Sequence, residues 1–211
     1  MSKLDYKTAY KELYAPKTTP SVIDVGPMTF IMADGRGNPN DEEGEFQRAV
    51  ELLYALTYTI KMSPKSGNSP EGYFEYVVPP LEGLWWMDDP EHADFQDKDK
   101  YCWTAMIRQL EFVTQQVYEW AAAEVSRKKK LDTDIARLEL FTEGLCVQCM
   151  HIGPYSDEPA TIEKMEAYMA QNGLVRDLSD TRKHHEIYLG DPRKTEPSKM
   201  RTILRYPVRK A

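Results

Sequence analysis

The order strand, helix, strand, strand runs twice along this chain, and that recurrence limits its possible folds more than any other feature. In the first half, residues 22–25 (VIDV) and 28–33 (MTFIMA) carry the branched and aromatic side chains that suit a strand. A turn-forming loop follows, Gly35-Arg36-Gly37-Asn38-Pro39-Asn40. Then Phe46, Ala49, Val50, Leu53, Thr57 and Ile60 recur at the three-and-four spacing of one helical face. Beyond the breakers from Pro64 to Pro70, residues 73–78 (YFEYVV) and 81–87 (LEGLWWM) read as two strands, and Pro79-Pro80 between them forbids one continuous central strand. An acidic loop over 88–99 leads to a further strand at 101–107 (YCWTAMI).

The second half repeats this pattern, though not the residue identities. Residues 145–152 (LCVQCMHI) read as a strand closed by the turn Gly153-Pro154-Tyr155-Ser156-Asp157. A helix with Ile162, Met165 and Met169 on one side ends at Gly173, the residue type that best terminates helices. Strands at 185–189 and 201–206 follow, split by the loop Gly190-Asp191-Pro192. Between the halves, Val113, Val117, Trp120, Ala121 and Glu124 mark a connecting helix at about 112–127. Each such unit buries one strand face under helices and leaves the other available. The pattern therefore predicts an α+β fold: a single domain over 1–211, pseudo-repeats at about 20–110 and 140–208, and a shared central groove.

Two of these oily strands each contain a carboxylate. Glu82 lies in Pro80-Leu81-Glu82-Gly83-Leu84-Trp85-Trp86-Met87, and Glu186 in His185-Glu186-Ile187-Tyr188-Leu189. A carboxylate there either faces water, as on a solvated strand face, or bears a desolvation cost of several kcal/mol unless partnered. Among aromatic rings such a group acts as a base or as a charge that attracts cations. The aromatic residues Tyr73, Tyr76, Trp85, Trp86, Trp103, Tyr155 and Tyr188 cluster near these strands. They can be core packing, but Tyr and Trp also line sites for flat or cationic molecules. By strand alternation Glu186 and Tyr188 share one face, and Glu82, Leu84 and Trp86 share another.

Other chemistries are disfavoured. A net charge of −7 argues against a nucleic-acid partner. The run Arg127-Lys128-Lys129-Lys130 reads as a solvated helix C-terminus, where cations are favoured. No apolar run is long enough to span a membrane, and the first residues have no apolar core of a secretory leader, so the expected compartment is the cytoplasm. Three cysteines make no disulfide framework, and in Cys146-Val147-Gln148-Cys149 the two thiols point to opposite strand faces. His184 and His185 likewise point apart, and no metal is expected with them or with His151. Gly35-Arg36-Gly37 lacks the third glycine of a dinucleotide fingerprint, and no Walker, Gly-x-Ser-x-Gly or His-Glu-x-x-His sequence occurs.

Several of these segments carry a family resemblance. His151-Ile152-Gly153-Pro154-Tyr155 before a helix, and the later Glu186-Ile187-Tyr188-Leu189-Gly190-Asp191-Pro192, resemble the GyrI-like small-molecule-binding domain. Residues 77–86 (VVPPLEGLWW) and 181–188 (TRKHHEIY) resemble its stand-alone bacterial branch, and the likeness spans roughly 20–207. It implies a duplicated β-α-β-β (SHS2-type) fold with a ligand groove and a small hydrophobic aromatic partner. In regulators of this family an acidic residue among aromatics senses drugs behind a DNA-binding helix-turn-helix, for which this chain has no room. The stand-alone branch is similar to hydrolases that open the cyclopropane ring of DNA-alkylating natural products. The resemblance makes Glu186 the pocket carboxylate, with Glu82 as its counterpart in the first half. The implied activity is cyclopropanoid hydrolysis without metal or organic cofactor: Glu186, assisted by Glu82, activates water; Tyr155 or Tyr188 stabilises the oxyanion; Trp85, Trp86 or Trp103 stacks on the substrate, with Tyr73 and Tyr76 beside them. The alternative is non-catalytic binding, sensing or sequestration of lipophilic aromatic or cationic molecules; inhibition of a topoisomerase follows from the family name alone.

Overall fold

The computed structural model describes residues 3–88 and 97–211. Most of the expected acidic loop, residues 89–96, lies outside the described residues. The helices are α1 (Tyr6–Ala9), α2 (Lys11–Tyr14), α3 (Glu45–Met62), α4 (Gln115–Lys129) and α5 (Glu158–Gln171). The strands are β1 (Ser21–Arg36), β2 (Leu81–Met87), β3 (Tyr101–Arg108), β4 (Ala136–Ile152), β5 (Leu174–Arg176), β6 (His184–Tyr188) and β7 (Arg201–Lys210). The fold is α+β, its paired strands antiparallel. Among the described residues no helix is long and apolar enough to cross a membrane.

The described residues fall into two compact units. The first holds 3–5, 28–81 and 86–141; the second holds 6–27, 82–85 and 142–211. The expected pseudo-repeats do not coincide with these units, because 6–27 and the four residues 82–85 group with the second.

In the first unit β1 pairs with β3 from Phe30↔Arg108 to Arg36↔Cys102. The predicted face of α3 is buried through Phe46, Ala49, Leu53, Thr57 and Ile60, joined by Leu52 and Leu56. Thr114 caps α4 by accepting from the Val117 N–H, as an N-terminal threonine does best. Residues 73–78 correct the sequence reading: they form no strand. Tyr76 makes an isolated bridge to Leu4, and its carbonyl accepts from Lys61 Nζ at 2.7 Å. With Pro79 and Pro80 next in line, this backbone has too few N–H donors to continue a ladder.

In the second unit β7 is central, paired with β4, β6 and β5. One face carries Val147, Cys149, Leu204, Tyr206 and Val208 against Met165 and Met169 of α5. Gly173, at φ +63°, ends that helix and lets the chain return as β5, a strand of three residues too short to show a period in sequence. The opposite face was expected to lie open. Instead the segment 12–18 reaches it: Gln148 Nε2 donates to the Glu12 carbonyl and Arg205 Nη2 to the Leu13 carbonyl, while the Met150 N–H donates to the Lys17 carbonyl along the edge of β4. Buried polar groups on that face require partners, and this segment supplies them.

Candidate functional site

Strand alternation on β6 divides its residues between two environments. His184, Glu186 and Tyr188 lie on the α5 side, since Glu186 pairs with Leu204 and Tyr188 with Thr202. His185 and Ile187 lie on the other and are fully buried.

On the α5 side a directed hydrogen-bond chain ends at Glu186. Trp85 Nε1 donates to the Tyr188 hydroxyl at 2.8 Å, and that hydroxyl donates to Glu186 Oε2 at 2.9 Å. The other carboxylate oxygen, Oε1, lies 3.1 Å from His184 Nε2. His184 is held from behind, its ring stacked on Tyr206 at 4.3 Å and its Nδ1 donating to the Arg205 carbonyl at 3.2 Å. Tyr155 meets the edge of Tyr188 at 5.9 Å and is 39% exposed, so this face opens to solvent beside it. Burial, and then the Glu186 charge, hold the Tyr188 hydroxyl well above its ordinary range. The same two causes push Tyr155 up to about 12. Both hydroxyls therefore keep their protons at neutral pH. The Tyr155 hydroxyl makes no hydrogen bond among the described residues and is available to a ligand.

Gly83 makes the Trp85 position possible. A Cβ there would stand 2.7 Å from Trp85 Nε1 and 3.3 Å from the Tyr188 hydroxyl, inside van der Waals contact. Only the hydrogen of glycine leaves room for the indole to lie back along its own strand.

Glu82 faces the other way. It is 1% exposed and lies 3.0 Å from His185 Nε2, while Tyr14 donates to its Oε1 at 3.2 Å. His185 Nδ1 lies 3.1 Å from Glu143, and Glu143 meets Arg205 Nη1 at 3.2 Å. The imidazole meets both carboxylates at ion-pair distance without hydrogen-bond alignment. Two acids and two bases are thus sealed together with no net charge. Burial alone would lower the His185 pKa, yet Glu143 and Glu82 outweigh it and raise it to about 9. Burial likewise opposes ionisation of Glu143, but His185 and Arg205 bring it down to about 2.

Of the residues the sequence singled out, the structure brings Trp85, Tyr155, Glu186 and Tyr188 together. Glu82 is not with them, because β6 separates its partner His185 from Glu186 by one residue and therefore by one sheet face. Trp86, Trp103, Tyr73 and Tyr76 belong to the first unit. Trp103 is 1% exposed there, its ring over Gly35 and edge-to-face with Phe46 at 5.1 Å. Tyr73 donates to the Lys61 carbonyl at 2.9 Å, and Tyr76 is buried beside Phe112. Sequence reasoning missed His184; its position two before Glu186 in a strand was the available signal. Cys146 and Cys149 are both buried, and among the described residues no group of three His, Cys, Asp or Glu side chains could hold a metal ion.

The profile of the GyrI-like small molecule binding domain matches residues 18–209. Three crystal structures from Listeria innocua resemble the whole chain. A hydrolase shares 47% identity over 98% of this chain and 100% of its own, with a TM-score of 0.88. An uncharacterized conserved protein shares 48% over 98% and 100%, with a TM-score of 0.92. A second hydrolase structure shares 49% over 99% and 100%, with a TM-score of 0.88. No curated protein matches.

Proposed function

The chain belongs to the GyrI-like small molecule binding domain family, and from that premise we propose that it binds a flat aromatic molecule on the Trp85–Tyr188–Glu186 face and hydrolyses it at a strained, electrophilic ring. The observation that carries this reading is the donor chain from Trp85 through Tyr188 to a Glu186 carboxylate beside an exposed tyrosine. It is supported by two similar Listeria structures being those of hydrolases.

The substrate class we propose is a cyclopropanoid alkylator, in which the three-membered ring is conjugated to a carbonyl. Glu186 takes a proton from water as the water oxygen bonds to the ring carbon. The carbon–carbon bond breaks, and its electron pair moves through the conjugated system to the carbonyl oxygen. Tyr155, whose proton is not committed to a neighbour, donates to that developing oxyanion. Tyr188 cannot serve there, since its one proton already goes to Glu186; it orients the base instead. Proton return to the phenolate completes the addition of water, and ring strain and aromatisation drive the step. We place this detoxifying activity in the cytoplasm, with neither nucleic acid nor membrane as partner.

Glu186→Gln should lower kcat by about a hundredfold or more, as loss of a general base does, with affinity for the intact compound little changed. Equal turnover by mutant and parent would remove Glu186 from the mechanism. A second reading, sequestration without chemistry, is favoured by the small-molecule-binding family itself. Protein at a hundredth of the ligand concentration separates the two: continued loss of the cyclopropanoid chromophore means catalysis, and one-to-one quenching means sequestration.

A further inference from the structure

We propose that His184 is a built-in counter-charge to Glu186, which makes this face selective for neutral flat ligands over cations of the same shape. The inference rests on the ligand face described above and assigns a role to a residue the reaction itself does not require.

Proton counting carries the argument. The Arg205 carbonyl can only accept, so His184 Nδ1, 3.2 Å away, bears a hydrogen. The other ring nitrogen faces Glu186 Oε1 at 3.1 Å. Two lone pairs would repel at that separation, so one proton lies between them. With both ring nitrogens donating, the pair is an imidazolium facing a carboxylate: it carries no net charge, and Glu186 keeps the unprotonated form the reaction needs. The second oxygen of Glu186 is occupied by the Tyr188 hydroxyl. An incoming cation therefore meets a carboxylate already neutralised and hydrogen-bonded on both oxygens.

The surroundings hold His184 in this role. Its ring stacks on Tyr206, and the Arg176 guanidinium lies 4.1 Å from the same ring's centroid. Two groups cannot both sit about 4 Å above one face, so they take opposite faces of Tyr206. Arg176 is paired in turn with Glu166. The order Glu166, Arg176, Tyr206, His184, Glu186 alternates charge around one aromatic ring, and its charges cancel pairwise. Of the nearby acids, Asp191 is neutralised by Arg193 and Lys194, and Glu158 is buried at the start of α5.

Two fluorescent probes of one shape test this on the intact chain: acridine, neutral above pH 7, and the N-methylacridinium cation. The parent should bind acridine at least as tightly as the cation. His184→Phe keeps the stack on Tyr206 but strips Glu186 of its counter-charge, and should tighten N-methylacridinium alone by about tenfold. Adding Glu186→Gln should erase that gain, which excludes Glu158 as its source. His184→Gln makes the same change in charge if the phenylalanine variant does not fold. A parent that prefers the cation tenfold, with a preference His184→Phe leaves unmoved, overturns the counter-charge while leaving the ligand face intact. Probes that fail to bind, or that bind regardless of Trp85→Ala, overturn the ligand face and this inference with it.

Discussion

Glu186 and His185 are neighbours in the chain with opposite fates, one partly exposed and held by Tyr188 and His184, the other sealed between carboxylates. At this scale single atoms decide function. Tyr188→Phe removes one oxygen and with it both the acceptor for Trp85 and the donor to Glu186. We expect kcat to fall about fivefold with a smaller change in KM, because an orienting hydrogen bond is worth about 1 kcal/mol; steady-state kinetics check this. Gly83→Ala is the sharper case. Its new methyl would overlap Trp85 Nε1 and displace the indole, so binding of a flat probe should weaken severalfold or more. Unchanged affinity in a titration would mean that Trp85 does not form the face.

At the scale of elements, β6 is a strand whose two sides do different work. The buried Glu82–His185–Glu143–Arg205 set joins β2, β6, β4 and β7 through opposite charges that face one another away from water. Removing one partner leaves a buried charge unmatched, so His185→Gln should cost about 3–5 kcal/mol in denaturant unfolding. The pH dependence follows from the shifts. His185 holds its proton more tightly folded, at about 9, than at its ordinary 6.5, so its contribution is complete below 6.5 and is lost as pH rises through 9. Glu143, lowered from 4.5 to about 2, contributes fully above 4.5 and loses its contribution as pH falls through 2. Stability should therefore be greatest between about 4.5 and 6.5 and decline toward pH 9, by at most about 3 kcal/mol from the His185 shift. A profile of melting temperature against pH tests this, and His185→Gln should flatten its alkaline limb.

Across the molecule, the segment 6–27 closes the second unit from outside the repeat that the sequence suggested. Tyr14 reaches Glu82, and the Leu13 carbonyl takes a guanidinium hydrogen of Arg205 at 2.6 Å. Tyr14→Phe should cost about 1–2 kcal/mol by leaving a buried carboxylate oxygen short of a donor. A thermal melt indistinguishable from the parent's would show that this contact adds nothing. The strands at 81–87 and 101–107 and the helical faces of α3 and α5 were legible because a half-buried element writes its period into its residues. The N-terminal helices were not, since four residues span barely one turn and show no period. Residues 73–78 had strand composition, but their backbone was committed to Lys61 and Leu4 instead.

Alternation along β6 alone puts Glu186 beside Tyr188 and sends His184 and His185 to opposite faces, because the two-residue period of a strand is local geometry. Alternation also separates Trp85 from Glu82, but it cannot say which residue meets which across strands. That Glu82 finds His185, that Trp103 fills the space above Gly35, and that His184 stacks on Tyr206 all depend on pairings between residues distant in sequence. Those choices belong to the tertiary structure, where a buried charge must find whichever opposite charge the register brings within reach.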